Sequence, residues 1–321
     1  MCSEKERIST CIRSSAEKLG FDAVGFAPAA YLEEESLRFK DWLKNGYHAT
    51  MGYMSRNVEK RLNPKELNHW ARSVVVCLYN YNPVETEFSS ACKISKYAYG
   101  LDYHSIIKDK LKQLADLIET ESGKLHARVF VDTAPVMERA WAKRAGLGWT
   151  GKNACLINKK KGSFFFIGTI IIDLELVYDT PSDTDHCGTC TRCMDACPNK
   201  AIIAPGVIDA NKCISYLTIE HKDDFPEGNE NKLHNWIFGC DICQDVCPWN
   251  RFSKPHSEPA FNPKPELLGL TDEDWKYMDK IKFIELFKNT AVERTGYDAL
   301  RRNLLNNEQG SRDQRSEIRD H

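Results

Sequence analysis

Eight of the thirteen cysteines fall between Cys187 and Cys247, and they form two runs of regular spacing. The first run, from Cys187 to Pro198, reads C-x2-C-x2-C-x3-C-P. In bacterial ferredoxins the fourth cysteine of this run ligates the other of two clusters. The second run consists of Cys213 and the segment from Cys240 to Pro248. The spacing therefore predicts two [4Fe–4S] sites, one formed by Cys187, Cys190, Cys193 and Cys247, and the other by Cys197, Cys213, Cys240 and Cys243.

The chemistry of these cysteines favours iron–sulfur clusters over structural zinc. Thiolates are soft donors suited to iron, and the short spacings let one loop wrap around a cubane. Paired C-x2-C motifs also bind zinc, but a zinc ribbon has no use for the x3-C-P member. We expect the remaining five cysteines to be ordinary reduced thiols, since no export signal precedes them: Cys2, Cys11, Cys77, Cys92 and Cys155.

Composition indicates a globular protein that we expect in the cytoplasm. The chain has 321 residues, 42% of them hydrophobic and 28% charged, which is enough for two domains. Its longest apolar run, Phe164–Ile172, is about half of a membrane span, so we predict no membrane association. The first residues are too charged for a signal peptide. With a net charge of only −2, any contact with nucleic acid must come from a local basic patch.

Hydrophobic periodicity, together with the residues that end helices and form turns, predicts the helices and strands that would position the cysteines. Two helices and three strands precede residue 132, and a helix and two further strands joined by Asn158–Gly162 follow it. The predicted helices are Ser3–Leu19, Tyr103–Glu121 and Pro135–Ala145, and the predicted strands are Phe21–Phe26, Ser73–Tyr79, His126–Val131, Ala154–Ile157 and Ser163–Asp173. This order predicts an α+β fold with a domain over 1–180, a ferredoxin-like module over 181–253, and a linker with a short helical tail over 254–321.

Four further stretches resemble the epoxyqueuosine reductase family, and the resemblance spans about residues 5–305. The most specific is Val131-Asp-Thr-Ala-Pro-Val-Met-Glu-Arg-Ala-Trp-Ala-Lys-Arg-Ala-Gly-Leu-Gly-Trp-Thr-Gly-Lys-Asn153. The others are Gly100–His104, Cys213–Glu220 and Gly239–Asn250. The family's longer HEAT-like C-terminal extension is shortened here, because the chain ends soon after Arg301-Arg302-Asn303. That shortening leaves open which contacts would replace those of the extension.

The resemblance implies a cobalamin-dependent oxidoreductase of tRNA. It implies an N-terminal α/β corrinoid-binding domain like that of reductive dehalogenases, with cobalamin between this domain and the two clusters. Reduction of cobalt toward Co(I) would supply the reducing power, and the cofactor would carry most of the organic chemistry. The substrate would be epoxyqueuosine at the wobble position of a tRNA with a GUN anticodon, and the product queuosine. We further expect a flavodoxin- or ferredoxin-type electron donor and a monomeric enzyme.

Asp132 is the candidate proton donor of the resemblance. Judged by position alone, it could equally be the N-cap of the helix that begins near Pro135. A carboxyl group in a desolvated pocket could hold a proton near neutral pH and deliver it during epoxide opening. The family's pattern also implies a set of residues around cobalamin: Arg61, Ser95, Asp132, Lys152, Asn153, Ser215, Asp241 and Ile242.

Residues 139–161 carry seven basic side chains and no acidic one. A solvated surface explains many such clusters, but charge elsewhere is balanced, so a phosphate-binding surface is the better hypothesis. The candidate tRNA-binding residues are Arg139, Lys143, Arg144, Lys159, Lys160 and Lys161.

Two other functions fit parts of the sequence. A corrinoid reductase of a small molecule would share the cofactors but would not need the basic stretch. A plain electron-carrying ferredoxin would need only the cysteine module, and the domain in front of it argues against that function.

Overall fold

The structure, a computed structural model, describes residues 3–181, 184–225 and 233–317. Cys2 and the last four residues of the predicted tail lie outside the described residues. The helices are α1 Glu4–Lys18, α2 Glu33–Lys44, α3 Val58–Leu62, α4 Pro64–Leu67, α5 Tyr103–Ser122, α6 Glu138–Arg144, α7 Arg192–Asp195, α8 Ile214–Ile219, α9 Ile242–Asp245, α10 Pro265–Leu268, α11 Asp272–Lys276, α12 Lys280–Phe287 and α13 Tyr297–Glu317. The strands are β1 Ala23–Pro28, β2 Ser73–Asn80, β3 Lys93–Ile94, β4 Ala127–Val131, β5 Trp149–Thr150, β6 Leu156–Ile157, β7 Phe165–Ile172, β8 Ile202–Ala204, β9 Val207–Ile208 and β10 Trp236–Phe238.

An antiparallel four-stranded sheet organises the N-terminal half, in the order β1-β2-β7-β4. Its central strand β2 is buried along nearly its whole length, as its β-branched sequence predicts. On one face Val75 and Cys77 pack beneath α1 and α5. On the other face Val74 and Val76 pack against Trp141 of α6. The sheet therefore has a hydrophobic core on each face. The loops of the site begin at the ends of its strands.

The first and fifth helices confirm the predictions made from capping and periodicity. Ser3 and Glu6 form the predicted capping box at the start of α1. The side chain of Asp102 caps α5, and Gly123 follows its last residue. Residues at helical spacing along α5 are fully buried against the sheet, which stabilises the helix by burial rather than by propensity alone.

Two of the predicted elements are wrong in detail. The sixth helix begins at Glu138 rather than near Pro135, because tight turns occupy the residues between. The predicted pair of strands around Asn158–Gly162 meets only in a single bridge between those two residues. Beyond that bridge β6 pairs with β5, whereas β7 crosses into the main sheet between β2 and β4.

The cysteine module lies against the end of the sheet at which β2 and β4 finish and β7 begins. Its two short helices, α7 and α9, pack against each other. The side chain of Asn250 accepts hydrogen bonds from the Ser163 backbone (2.6 Å) and donates to the Gln244 carbonyl (2.7 Å). Gln244 in turn donates to the Ser163 carbonyl at 3.1 Å. These amide contacts fix the module against the strand that leads into the sheet.

The C-terminal tail is part of the folded core. Phe261, in the proline-rich segment predicted as a linker, is buried in the core beneath α1 and α5. Asn303 of α13 is fully buried and donates to the carbonyls of Thr218 and Ile237, both at 2.9 Å. No helix among the described residues is long and apolar enough to cross a membrane.

Candidate active site between the sheet and the cysteine module

The first group of thiols lies around Cys193. Burial foremost, and then the charges of Cys187, Cys247 and Cys190, raise the pKa of the Cys193 thiol to about 11. These are the four residues that the spacing assigns to one cluster. Because iron binds thiolates, their mutual repulsion as thiolates would be relieved by a cationic iron–sulfur core. The donor set and its grouping therefore fit a [4Fe–4S] cluster.

The second group lies around Cys240. Burial, followed by the charges of Cys213, Asp241 and Cys197, raises the pKa of Cys240 to about 12. The pKa of Cys243 is also raised, and Cys240 and Cys213 are among the causes. The grouping thus matches the crossed assignment predicted for the second cluster.

Cys155, which we expected to be an ordinary thiol, lies beside one of the predicted cluster ligands. Cys155 hydrogen-bonds to Cys243, which is the first cause of the raised pKa of Cys243. Asn153, two residues earlier, is buried and donates to the Cys243 carbonyl at 3.2 Å. The Gly-Lys-Asn segment therefore adjoins the second group of thiols. Its lysine, Lys152, instead donates to the Gly188 carbonyl at 2.7 Å, in the loop of the first group.

Asp132 occupies a strained turn at the end of β4. Its φ is +55°, in the left-handed region, and the turn is closed by a 2.6 Å hydrogen bond from the Thr133 amide to the Val131 carbonyl. The N-cap of α6 is Met137, so the reading of Asp132 as a helix cap is wrong. The turn leaves the Asp132 side chain 68% exposed, although its neighbours are largely buried.

Tyr103 and His104, at the start of α5, hold the Asp132 carboxylate. The Tyr103 hydroxyl donates to Asp132 Oδ2 at 2.7 Å, and His104 Nε2 lies 3.7 Å from the same oxygen. The Tyr103 ring is stacked on Phe166 with centroids 4.0 Å apart. The other ring nitrogen of His104 lies 2.6 Å from Asp102 Oδ1. Packing and capping thus orient both partners of the carboxylate before any ligand binds.

These contacts decide where a proton resides. The nearby His104 ring first, and then the hydrogen bond from Tyr103, lower the pKa of Asp132 against the opposing effect of burial. Although burial opposes it, hydrogen bonding to Asp102 and Asp132 raises the pKa of His104. The expectation that desolvation keeps Asp132 protonated near neutral pH is therefore wrong for this geometry. These directions favour a proton on His104 over one on Asp132, although the charge of Arg294 opposes it.

A second set of predicted residues lies on the cysteine module or contacts it. The Ser95 hydroxyl donates to Asp241, and the Lys96 amide donates to the other oxygen of that carboxylate at 2.7 Å. The backbone of Ile242 lies against Cys240, and the backbone of Ser215 against Cys213. Four of the predicted cobalamin residues therefore surround the second group of thiols: Ser95, Ser215, Asp241 and Ile242.

Tyr97 lies between the two sets. The charges of Asp132 on one side, and of Asp241 and Glu220 on the other, all contribute, after burial, to raising its pKa. Tyr97 thus marks a region, called the cleft, between Asp132 at the end of the sheet and Asp241 beside the second group of thiols. Its polar rims suit a large polar cofactor bound between the two halves.

Arg61 lies near Tyr53 and Glu138, on the Asp132 side of the cleft. Its guanidinium donates to the Tyr53 carbonyl at 3.0 Å. Its Nε atom is buried and, within the described residues, has no hydrogen-bond partner; the same holds for Glu138 Oε1. Such orphaned polar atoms are rare unless a ligand or water completes them. They indicate that the cleft is built for a polar ligand, and the donor set fits cobalamin.

The basic residues predicted to bind tRNA do not form one surface. Arg144 pairs with Glu35 at 3.0 Å, and both side chains are mostly buried. Lys143 lies 3.8 Å from Glu34, and Arg139 donates to the Ala154 carbonyl at 2.7 Å. Lys143 and Arg144 are therefore paired with acidic residues of α2, whereas Arg139 is exposed. The role of these three residues in tRNA binding stays a prediction.

The lysines of the Asn158–Gly162 turn are placed differently. Lys161 pairs with Asp22 at 3.2 Å, whereas Lys159 and Lys160 are exposed. Asp22 precedes β1, and Asp132 follows β4, at opposite edges of the four-stranded sheet. Three strand spacings place these edges roughly 14 Å apart. Lys159 and Lys160 therefore remain candidates for phosphates away from the reacting base.

Sequence reasoning missed five residues at the site: Tyr53, Tyr103, His104, Glu138 and Arg294. Tyr103 and His104 lie in the Gly100–His104 motif, which was noticed without assigning roles. Arg294, from the tail, lies 2.9 Å from His104 Nε2, and its charge opposes protonation of the imidazole. Since 190 residues separate that pair, no local pattern in the sequence predicts it.

Comparison with known proteins places this site in a family. Residues 61–133 match the family model described as epoxyqueuosine reductase QueG, DUF1730, and residues 186–250 match the 4Fe-4S double cluster binding domain. An epoxyqueuosine reductase from Cyclobacterium marinum is 52% identical over 301 residues, which cover 93% of this chain and 96% of that protein.

Two solved structures are also similar. A crystal structure of epoxyqueuosine reductase with an epoxyqueuosine-modified tRNA-Tyr stem loop has a TM-score of 0.85 at 29% identity, covering 95% of this chain and 81% of that one. The epoxyqueuosine reductase of Bacillus subtilis, solved with its catalytic aspartate loop swung out of the active site, has a TM-score of 0.86 at 28% identity, covering 95% and 82%.

Proposed function

The chain belongs to the epoxyqueuosine reductase family, and we propose that it reduces the epoxide of epoxyqueuosine at the wobble position of tRNA to give queuosine. The single observation that carries the proposal at the level of residues is the Tyr103–Asp132–His104 arrangement. It presents a carboxylate and a stored proton to the cleft that faces the second group of thiols. The name of the tRNA-bound relative supports a tRNA substrate.

The proposed reaction requires two electrons and two protons. Both bonds between carbon and the epoxide oxygen break, a carbon–carbon double bond forms, and the oxygen leaves as water. Cobalamin, when bound, supplies the reducing chemistry at carbon, and the two clusters supply it with electrons. The residues that would hold cobalamin are Arg61, Ser95, Asn153, Ser215, Asp241 and Ile242. Lys152 is a weaker candidate, because it is tied to Gly188 beside the first group of thiols.

The role we assign to Asp132 is that of the proton-delivering group. As the imidazolium partner of Asp132, His104 holds a proton 3.7 Å from Oδ2, and a small shift of either side chain brings the pair into hydrogen-bond range. Asp132 then passes the proton to the epoxide oxygen. Tyr103 keeps the carboxylate aimed during this transfer. The moving catalytic loop of the Bacillus subtilis relative supports a mobile aspartate in this role.

We further propose that electrons enter at the first cluster. A concavity of about 970 Å³ adjoins Cys247 and is lined by three cations, Lys96, Arg192 and Arg251, and by two acids, Asp195 and Asp245. Lys96 pairs with Asp245, so the two arginines are the cations that suit an acidic donor of flavodoxin or ferredoxin type. If so, the KM for the donor protein should rise with salt, whereas turnover driven by a small chemical reductant should not respond in the same way.

The proposal as a whole is tested on the reconstituted protein. Protein containing both clusters is incubated without oxygen with cobalamin, a low-potential reductant and tRNA bearing epoxyqueuosine. Nucleoside analysis by mass should show loss of one oxygen atom, and omission of cobalamin should abolish that loss. Recovery of unchanged epoxyqueuosine from the complete mixture would contradict the proposed function. Conversion of a small organohalide in place of the tRNA would favour the corrinoid reductase of small molecules.

A further inference from the structure

Glu138, the first residue of α6, carries a buried carboxyl group that the mechanism above does not use. Its Oε1 atom is buried and has no hydrogen-bond partner in the part of the chain that the structure describes. The charged groups that face it are Asp132 from the β4 turn, Arg139 from its own helix and Arg61 from α3. The strands packed against α6 present apolar side chains, including Val74, Val76 and Leu156. The acidic residues of α2, Glu34 and Glu35, contact the other end of the helix at Lys143 and Arg144.

Together, these surroundings favour the protonated, neutral form of the Glu138 carboxyl group. Burial foremost, and then the negative charge of Asp132, raise the pKa of Glu138 to about 8. The backbone amides of Glu138 and Asp132, together with Arg139, oppose this shift without cancelling it. At neutral pH the site therefore contains a protonated Glu138 beside an ionised Asp132. Two acids whose environments separate their pKa values in this way are typical of divided proton-transfer roles.

The stoichiometry of the proposed reaction leaves one proton without a source. Two electrons from the low-potential donor and two protons are consumed as the epoxide oxygen leaves as water. The imidazolium of His104 accounts for one proton, delivered through Asp132. Once that proton has gone, a second must reach Asp132 inside a cleft that the bound tRNA base would close to bulk water.

We propose that Glu138 is the second proton store of the site, and that it reprotonates Asp132 within each turnover. This inference rests on the proposed function. In it Glu138 does not touch the substrate: its O–H bond breaks, directly or through one water, as an O–H bond forms on Asp132. Glu138 then recovers a proton from solvent after the product leaves. It is a positioning and relay residue, and Asp132 remains the group that meets the epoxide.

The test compares Glu138→Gln with Glu33→Gln in the complete protein with both clusters and cobalamin. Glu138→Gln keeps the shape of the side chain but removes the transferable proton. Glu33→Gln makes the same chemical change on the exposed surface of α2. Single-turnover rates are measured with an epoxyqueuosine-containing stem loop from about pH 6 to about pH 10. Iron content and cobalamin binding are measured on the same samples.

We expect the wild-type rate to fall on the alkaline side as Glu138 loses its proton, with a midpoint near its pKa of about 8. Glu138→Gln should be slower by about 10-fold or more at neutral pH and should lack that alkaline midpoint. A small carboxylic acid added to the buffer should restore part of its rate. Glu33→Gln should behave as the wild type.

A second readout needs no turnover. Infrared difference spectra of the wild type between neutral and alkaline pH should show a carboxylic-acid carbonyl band that disappears with the same midpoint, and Glu138→Gln should lack this band. If Glu138→Gln loses iron, Glu138→Asp replaces it in both measurements, and a retained but displaced midpoint is expected. A wild-type rate and alkaline midpoint in Glu138→Gln would overturn the relay alone. Absence of product from the wild type would overturn the proposed function, and the relay with it.

Discussion

The Tyr103 hydroxyl donates a 2.7 Å hydrogen bond to the carboxylate of Asp132, and this contact joins the start of α5 to the end of β4. Tyr103 is buried and stacked on Phe166, so its hydroxyl has little freedom to turn elsewhere. The carboxylate is therefore oriented by the apolar core rather than by other polar groups at the surface. The predictions below follow from this arrangement and from the packing around it.

Removing the tyrosine hydroxyl should change the titration of Asp132. The hydrogen bond from Tyr103 lowers the pKa of the carboxyl group, so Tyr103→Phe should raise it. Carboxyl-carbon NMR of selectively labelled protein measures this pKa directly. Tyr178→Phe, which removes a hydroxyl near Arg72 instead, is the matched control. An unchanged pKa in Tyr103→Phe would mean that the contact does not hold the carboxylate in solution.

Single cysteine substitutions should separate the two clusters. Protein purified without oxygen should contain about eight iron and about eight sulfide ions per chain. Cys193→Ala and Cys213→Ala should each lose about half of this iron, because the two residues belong to different groups of thiols. Cys11→Ala, a change on α1, should keep the full content. Two zinc ions and no sulfide in the wild type would contradict the cluster assignment.

Charge reversal should locate the tRNA surface. Lys159→Glu with Lys160→Glu should weaken stem-loop binding by on the order of 1 kcal/mol per phosphate contact and reduce its salt dependence. The exposed pair Lys65→Glu with Lys124→Glu, near the start of β4, is the control. Reversal of Arg144 would be uninformative here, because it would place two carboxylates together in a mostly buried contact and destabilise the fold. Unchanged affinity in the variant with Lys159→Glu and Lys160→Glu would mean that the tRNA binds to another surface of the protein.

The tail should stabilise the cluster module. Asn303→Ala leaves the buried carbonyls of Thr218 and Ile237 without their donor, which should lower the free energy of unfolding by about 2 kcal/mol. Because α8 directly follows Cys213, the variant should also lose iron faster on exposure to a chelator. Leu305→Ala, on the exposed side of the same helix, should change neither. Equal unfolding curves and equal iron loss for both variants would argue against this role.

Much of the fold was predictable where the signal is local. The capping box at Ser3, the burial pattern of α5 and the run of β-branched residues in β2 each act within one element. The position of β7 was not predictable from its turn, because its partners β2 and β4 lie far away in sequence. Local turn chemistry at Asn158 suggested a hairpin, and the non-local sheet pairing prevailed.

The candidate site likewise combines features that a local sequence pattern predicts with features that depend on residues far away in the sequence. Cysteine spacing predicted both groups of thiols, since each motif constrains a short loop around a cluster. The pKa of Asp132 depends instead on His104, and the exposure of Arg144 depends on Glu35, over separations of 28 and 109 residues. Part of the basic run therefore forms ion pairs with acidic residues elsewhere in the fold, through Lys143, Arg144 and Lys161. The sequence alone does not show which acidic residues pair with these basic residues, because the partners lie far away along the chain.

The central claim is that Asp132 delivers the proton to the epoxide, and Asp132→Asn tests it most directly. The amide preserves the size of the side chain but cannot pass a carboxyl proton. We predict that the variant contains full iron, binds cobalamin and the stem loop, and converts epoxyqueuosine at least about 10²-fold more slowly than the wild type in a single turnover. Asp132→Ser should behave in the same way. Conversion by Asp132→Asn at the wild-type rate would contradict the account.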